Sequence, residues 1–159
     1  MGVAGSNGRS GKSGKDRGPT SFKITIPSEF TAGRDVQKRI VDRVTRLGFT
    51  SQSQFGIKVA LEEALINAIK HGNAQHPRKK VHIAVKVTPR QLEVVIDDEG
   101  PGFNRKSVPD PRKKENLEKC TGRGILLIEA YMTSAKWSRG GRRLTMIKKN
   151  EPDVLPRRR

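Results

Sequence analysis

The 159-residue sequence predicts an α/β two-layer sandwich, in which a mixed, largely antiparallel sheet carries helices on one face. Three observations lead there. Two segments between residues 33 and 70 place apolar side chains three and four apart, as helices with one buried stripe require. Short strand-like segments later in the chain come in pairs joined by turn-forming residues, as hairpins require. One further apolar segment of helical length lies between those pairs, so strands and helices segregate into two layers.

Ordered structure is expected from Phe22-Lys23-Ile24-Thr25-Ile26, an alternating strand ended by Pro27. Ser28 or Thr31 is the expected cap of a helix from Gly33 to Leu47, with Val36, Ile40, Val44 and Leu47 as its stripe and Gly48 as its stop. A second helix is expected over Ser53–Lys70, carrying Ile57, Ala60, Leu61, Ala64, Leu65 and Ala68, with Gly72, Asn73 and Pro77 closing it. Val81–Val87 and Leu92–Ile96 read as strands joined at Thr88-Pro89-Arg90-Gln91. Residues 100–122 lack periodicity and are rich in proline, glycine and lysine. A stretch of that length inside a compact domain predicts a functional loop or lid. A short helix is expected over Gly124–Met132, then a strand at Ala135-Lys136-Trp137, a turn at Gly140-Gly141 and a returning strand over Arg143–Lys148.

Composition bounds the function. Apolar residues make up 33% and aromatics 4%, so the core is lean and aliphatic. No apolar run approaches the ~18 residues of a membrane span. Arg9, Lys12 and Lys15 precede no apolar stretch, which argues against a secretory signal. The lone Cys120 excludes an internal disulfide and a multi-cysteine zinc site, and a cytoplasmic protein is expected. Lysine and arginine total 33 against 16 acids, a net charge of +17 that invites a polyanion partner. The charge is spread along the chain, and some of it falls in end segments with little apolar content. Residues 1–20 are Gly/Ser-rich with Arg9, Lys12, Lys15 and Arg17, and residues 150–159 end in Arg157-Arg158-Arg159. Both read as solvated tails flanking one domain over residues 21–149.

Four segments bear on chemistry. Gly11-Lys12-Ser13 mimics the end of a phosphate-binding P-loop, but Ser6 stands where that pattern needs glycine, and no strand precedes it. In the second helix, Glu63 and Asn67 lie four residues apart and about 40° apart around the axis, whereas Glu62 is about 140° from Asn67. A carboxylate beside a carboxamide oxygen suits magnesium, or a carboxylate base next to a metal ligand. Val94-Val95-Ile96 then runs into Asp97-Asp98-Glu99-Gly100-Pro101-Gly102, where carboxylates and close-approaching backbone follow a strand. Finally, Thr121-Gly122-Arg123-Gly124 opens a helix, whose free N–H groups and dipole favour an anion.

The succession of these last three motifs resembles the N, G1 and G2 boxes of the GHKL (histidine-kinase-like) ATPases over residues 22–149. Within them it is most similar to the stand-alone anti-sigma factor serine/threonine kinases. The resemblance implies a Bergerat-type ATP-binding fold and, as cofactors, ATP and Mg2+. It assigns Glu63 as general base and Asn67 as magnesium ligand. It gives Asp98 to the adenine amino group, Gly100 and Gly102 to the G1 turn, and Thr121, Gly122, Arg123 and Gly124 to the phosphates. Thr145 takes the place of a threonine that supports adenine. The lid offers Arg105, Lys106, Arg112, Lys113, Lys114 and Lys119 as phosphate contacts, while His71 and His76 read as structural or exposed. No phosphoacceptor-histidine helix precedes the motifs, which argues against a complete sensor kinase. The implied partners are a STAS-type anti-sigma factor antagonist as substrate, a sigma factor, and a second copy of the chain. Two other functions stay open at this point: a nucleotide-gated binding module without phosphotransfer, and a basic nucleic-acid-binding protein. The latter is poorly supplied with stacking side chains, with Trp137, Tyr131 and five phenylalanines in the whole sequence.

Overall fold

The computed structural model describes residues 18–103 and 122–152. The chain runs β1 (Thr20–Pro27), α1 (Phe30–Arg46), α2 (Ser51–Ile66), one turn of π-helix (Asn67–Gly72), β2 (Lys80–Val87) and β3 (Gln91–Asp97). After the loop come α3 (Arg123–Tyr131), β4 (Ser134–Ser138), a 3-10 turn (Arg139–Gly141) and β5 (Arg143–Lys149). The strands form one sheet in the order β1-β2-β3-β5-β4. All four neighbouring pairs are antiparallel, so the expected mixed sheet has no parallel pair among the described residues.

Two periodicities meet in one core. Val81, Ile83, Val85 and Val87 of β2, Leu92, Val94 and Ile96 of β3, and Leu144 and Met146 of β5 are buried at every second position. Facing them, Val36, Ile40 and Val44 of α1 and Ile57, Ala60, Leu61, Ala64 and Leu65 of α2 are buried at helical spacing. Ile128 of α3 completes this layer. Alternation sends His82, Lys86, Glu93 and Thr145 to the other face of the sheet.

Three local expectations are corrected. First, α1 begins at Phe30, ahead of Gly33, and neither Ser28 nor Thr31 caps it. Its N-cap is Glu29, without a side-chain cap bond. Gly33 sits inside the helix because α1 packs on the end of α2 and the π turn there: a β-carbon at Gly33 would lie 3.7 Å from Leu65 Cβ and 3.1 Å from Ile69 Cδ1. Ser28 is a latch instead, its hydroxyl donating to the Lys79 carbonyl at 2.6 Å. Second, α2 starts at Ser51, with the Thr50 hydroxyl accepting from the Ser53 N–H at 3.2 Å. Its α-helical part stops at Ile66 and the π turn carries the chain on to Gly72.

Third, the folded body extends beyond residue 149. The Asn150 side chain accepts from the Thr50 N–H at 3.0 Å and donates to the carbonyls of Gly48 and Pro89 at 3.2 and 3.0 Å. Its own N–H donates to Arg90 O at 2.8 Å, and Glu151 O accepts from the Thr50 hydroxyl at 2.9 Å. One residue past β5 thus ties the α1–α2 connection to the β2–β3 turn. Among the described residues, no helix is long and apolar enough to cross a membrane.

Candidate functional site

A cleft of about 340 Å³ opens between α2 with its π turn, the end of β3, the start of α3 and the β4–β5 turn. That volume lies within the ~300–1,000 Å³ usual for small-molecule sites. Helical phase decides which side chains enter it. Glu63 and Asn67 line the cleft together, whereas Glu62 lines a separate depression between α1 and α2.

The π turn then shifts the chain's phase. The N–H of Asn73 donates to Ala68 O at 2.8 Å, a five-residue step where an α-helix takes four. Gly72 is thereby set against the end of β3 so closely that a β-carbon on it would lie 2.5 Å from Asp98 Cγ. A β-carbon on Gly100 would lie 2.0 Å from Gly72 O. Two glycines in contact let the helix end and the loop after β3 share one wall.

Strand parity separates the neighbouring aspartates. Asp97 faces away from the helices, where Arg143 Nε donates to it at 2.7 Å. Asp98 faces the cleft. Its N–H donates to Arg142 O at 3.0 Å and its Oδ1 accepts from the Gly100 N–H at 2.8 Å. Burial raises the Asp98 pKa above the usual aspartate value, and Asp97 adds to the rise. The Gly100 N–H, Arg142 and Lys79 act against it. Glu99 turns outward, and the His82 ring beside it at 2.8 Å lowers its pKa.

Beyond Gly102 (φ 80°) the backbone is fastened to the β4–β5 turn. Phe103 N–H donates to Gly140 O at 2.8 Å, and a β-carbon on Gly102 would lie 2.0 Å from that same oxygen. Phe103 and Trp137 stand edge to face, 6.5 Å between ring centroids, and both line the cleft. Opposite them, Gly122 (φ 98°) is the N-cap of α3, whose first-turn N–H groups have no acceptor within the helix. Gly124 follows so close to Glu63 that a β-carbon there would lie 2.6 Å from its Oε2. The Glu63 carboxyl is raised above the usual glutamate value, first by burial and second by Glu62.

Of the residues singled out in the sequence, Glu63, Asn67, Asp98, Gly102, Gly122 and Gly124 converge on this cleft. Gly100 is buried behind it against Gly72. Arg123 is exposed in the first turn of α3 and does not line the cleft. Thr145 is a correction: its neighbours Leu144 and Met146 are buried toward the helices, so parity turns Thr145 to the opposite face, and Leu144 lines the cleft instead. His71 is exposed and borders the cleft, while His76 accepts from the Arg78 N–H in the following turn. Thr121 and the lid residues Arg105, Lys106, Arg112, Lys113, Lys114 and Lys119 lie outside the described residues. Sequence reasoning missed Gly72, Asn73, Arg142 and the Phe103–Trp137 pair. In sequence Gly72-Asn73 signals only a helix stop, and the aromatics are 34 residues apart.

An open antiparallel sheet, three helices and a cleft framed by these motifs define a histidine kinase-like ATPase domain. Residues 26–148 match that family, and the chain belongs to it. Among its relatives, a protein named serine-protein kinase RsbW from Oceanobacillus iheyensis is 30% identical over 97 residues, covering 57% of this chain and 61% of that one. A protein named anti-sigma F factor from the same organism is 33% identical over 98 residues, covering 58% and 65%. The chain thus spans less than two thirds of the length of these two relatives. The serine-protein kinase RsbW of Bacillus velezensis is 25% identical over 126 residues, covering 72% and 76%. A crystal structure of the RsbU and RsbW domains of a Mycobacterium tuberculosis protein shares the fold, with a TM-score of 0.55 at 16% identity. That likeness covers 82% of this chain and 31% of the other.

Proposed function

We propose that the chain is an ATP- and magnesium-dependent serine/threonine protein kinase of anti-sigma-factor type. Its substrate is a hydroxyl on a small STAS-type antagonist, and it also binds a sigma factor. One observation carries this most directly. Glu63 and Asn67 share the cleft wall beside Gly124 at the start of α3, while Asp98 lies half-buried where the π turn meets the loop after β3. The cleft therefore offers an acceptor for a base at one end, and oxygen donors with free backbone N–H groups at the other. The relatives' names, serine-protein kinase RsbW and anti-sigma F factor, support the same class of activity.

The residues present fit the ligands. Gly72 and Gly100 let the π turn and the loop after β3 close into one wall, Gly124 lets the start of α3 approach Glu63, and Gly122 and Gly124 open α3 toward an anion. Asn67 supplies a hard oxygen, and no cluster of three His, Cys, Asp or Glu side chains occurs among the described residues. A magnesium ion held at Asn67 would take further ligands from phosphate and water, the usual arrangement for this metal. When bound, it neutralises charge on the phosphate oxygens.

Asp98 accepts a hydrogen bond from the adenine amino group. Arg142 and the Phe103–Trp137 pair enclose the same end. In the transfer, the partner's hydroxyl oxygen forms a bond to the γ-phosphorus, the bond from that phosphorus to the bridging oxygen of ADP breaks, and Glu63 takes the hydroxyl proton. Burial fits Glu63 to this task, because a carboxyl held above the usual glutamate range is a stronger base.

The direct test is incubation with a STAS-type partner and γ-labelled ATP, with and without a magnesium chelator. Label should appear on a partner serine or threonine and vanish with chelation. Nucleotide binding without transfer to any such partner would leave a nucleotide-gated binder in place of the kinase.

A further inference from the structure

We infer that Asn73 is a positioning residue that sets base selectivity by fixing the loop carrying Asp98. The inference rests on Asp98 recognising adenine, as proposed above.

Asn73 is fully buried, at 0% exposure, directly after the π turn. Its carboxamide reaches three separate parts of the chain. Nδ2 donates to the Ser28 hydroxyl at 2.9 Å, at the end of β1, and to Lys80 O at 2.9 Å, at the start of β2. Oδ1 accepts from the Glu99 N–H at 2.7 Å, in the loop after β3. These partners fix the orientation of the amide, because a carbonyl only accepts and a backbone N–H only donates. The site therefore needs one side chain that donates and accepts at once. Aspartate would turn an oxygen toward Lys80 O, and serine would be too short to reach all three.

The Glu99 arm is the one that bears on selectivity. Glu99 is the residue next to Asp98, and its side chain is occupied elsewhere, with His82. Asp98 itself is held through its N–H to Arg142 O and its carboxylate to the Gly100 N–H. Without the Asn73 arm, the peptide after Asp98 loses this hydrogen bond to the helix end, which leaves the close approach of Gly72 to Asp98 and Gly100. A carboxylate that must meet a single amino group then loses its fixed place. The other end of the cleft, at Glu63, Asn67 and α3, is untouched, since the Asn73 side chain bonds to Ser28, Lys80 and Glu99.

The experiment compares affinities for ATP, GTP and inorganic triphosphate in four variants, with thermal stability measured alongside. Asn73→Ser should lower the preference for ATP over GTP at least about tenfold while triphosphate affinity holds. Ser28→Ala cuts the other arm, so it should lower stability and leave the preference alone. Asn73→Asp keeps an acceptor for Glu99 and should retain most of the preference at lower stability. If Asn73→Ser does not fold, Asn73→Asp decides alone, and a folded Asn73→Asp without preference overturns the inference. So does an equal fall for ATP, GTP and triphosphate in Asn73→Ser. Asp98→Asn separates the two levels. If it leaves the preference intact, Asp98 does not read adenine. If it abolishes the preference and Asn73→Ser does not reduce it, only the role of Asn73 fails.

Discussion

Gly124 packs against the carboxylate of Glu63 so closely that a single methyl group on it would stand 2.6 Å from Oε2. The obstructed atom is the end of a flexible side chain, so Glu63 can swing aside at little cost to the fold. Gly124→Ala is therefore expected to remain folded and to bind ATP, because its backbone has no left-handed φ to lose. Phosphotransfer should fall by about 10²-fold, as for a displaced general base. Circular dichroism and a partner-phosphorylation assay check this. Unchanged turnover would show that Glu63 need not hold its present place, and loss of folding that it cannot swing aside.

The pH dependence of the reaction follows from the same carboxyl. Glu63 must be ionised to accept a proton, so activity rises with pH as it titrates. Burial and Glu62 hold that titration above the ordinary glutamate value of about 4.3. Glu62→Gln removes the second cause and should move the acid limb of the rate profile to lower pH. A carboxyl whose pKa is raised by folding contributes stability below its unfolded pKa and loses it as pH rises through the folded one. Glu63→Gln should accordingly be no less stable than the parent at pH 7, and a rate profile together with chemical denaturation would check both statements. An acid limb that Glu62→Gln leaves in place would contradict the coupling.

The C-terminal boundary gives a stability prediction. Asn150→Ala removes three side-chain hydrogen bonds that join Thr50, Gly48 and Pro89. It should cost about 1–3 kcal/mol in urea denaturation, since backbone groups at both loops lose partners. Truncation of residues 153–159, which are basic and proline-containing by sequence, should change stability by much less. A truncation as costly as Asn150→Ala, or an Asn150→Ala variant as stable as the parent, would contradict this.

What the sequence revealed and what it hid differ in kind. The buried stripe of α2 and the alternation of β2 and β3 are periodic, so Glu63 and Asn67 were legible as one side of a helix and Asp98 as the end of a strand. The resemblance puts a threonine role on Thr145, but Leu144 and Met146 on either side mark it as facing away from the helices. The π turn left no trace, since Asn67–Gly72 has a composition that an α-helix end accepts equally well. Ser28 and Asn73 looked like a cap and a stop because such residues usually are; their actual bonds join positions 45 residues apart. Asn150 resembles tail in sequence for the same reason, its partners lying 61 to 102 residues away.

Phosphotransfer to a STAS-type partner by Glu63→Gln and Glu62→Gln, with ATP affinity measured in parallel, is the most direct test of the catalytic site. The two glutamates are neighbours, yet Glu63 lines the cleft beside Asn67 and Glu62 lines the depression between α1 and α2. Glu63→Gln should retain ATP–magnesium binding and lose transfer by about 10²–10⁴-fold, while Glu62→Gln keeps nearly full turnover at neutral pH. Asn67→Ala should instead weaken nucleotide binding only when magnesium is present. If Glu62→Gln proves as damaging as Glu63→Gln, or if Glu63→Gln still transfers phosphate at the parent rate, Glu63 is not the base.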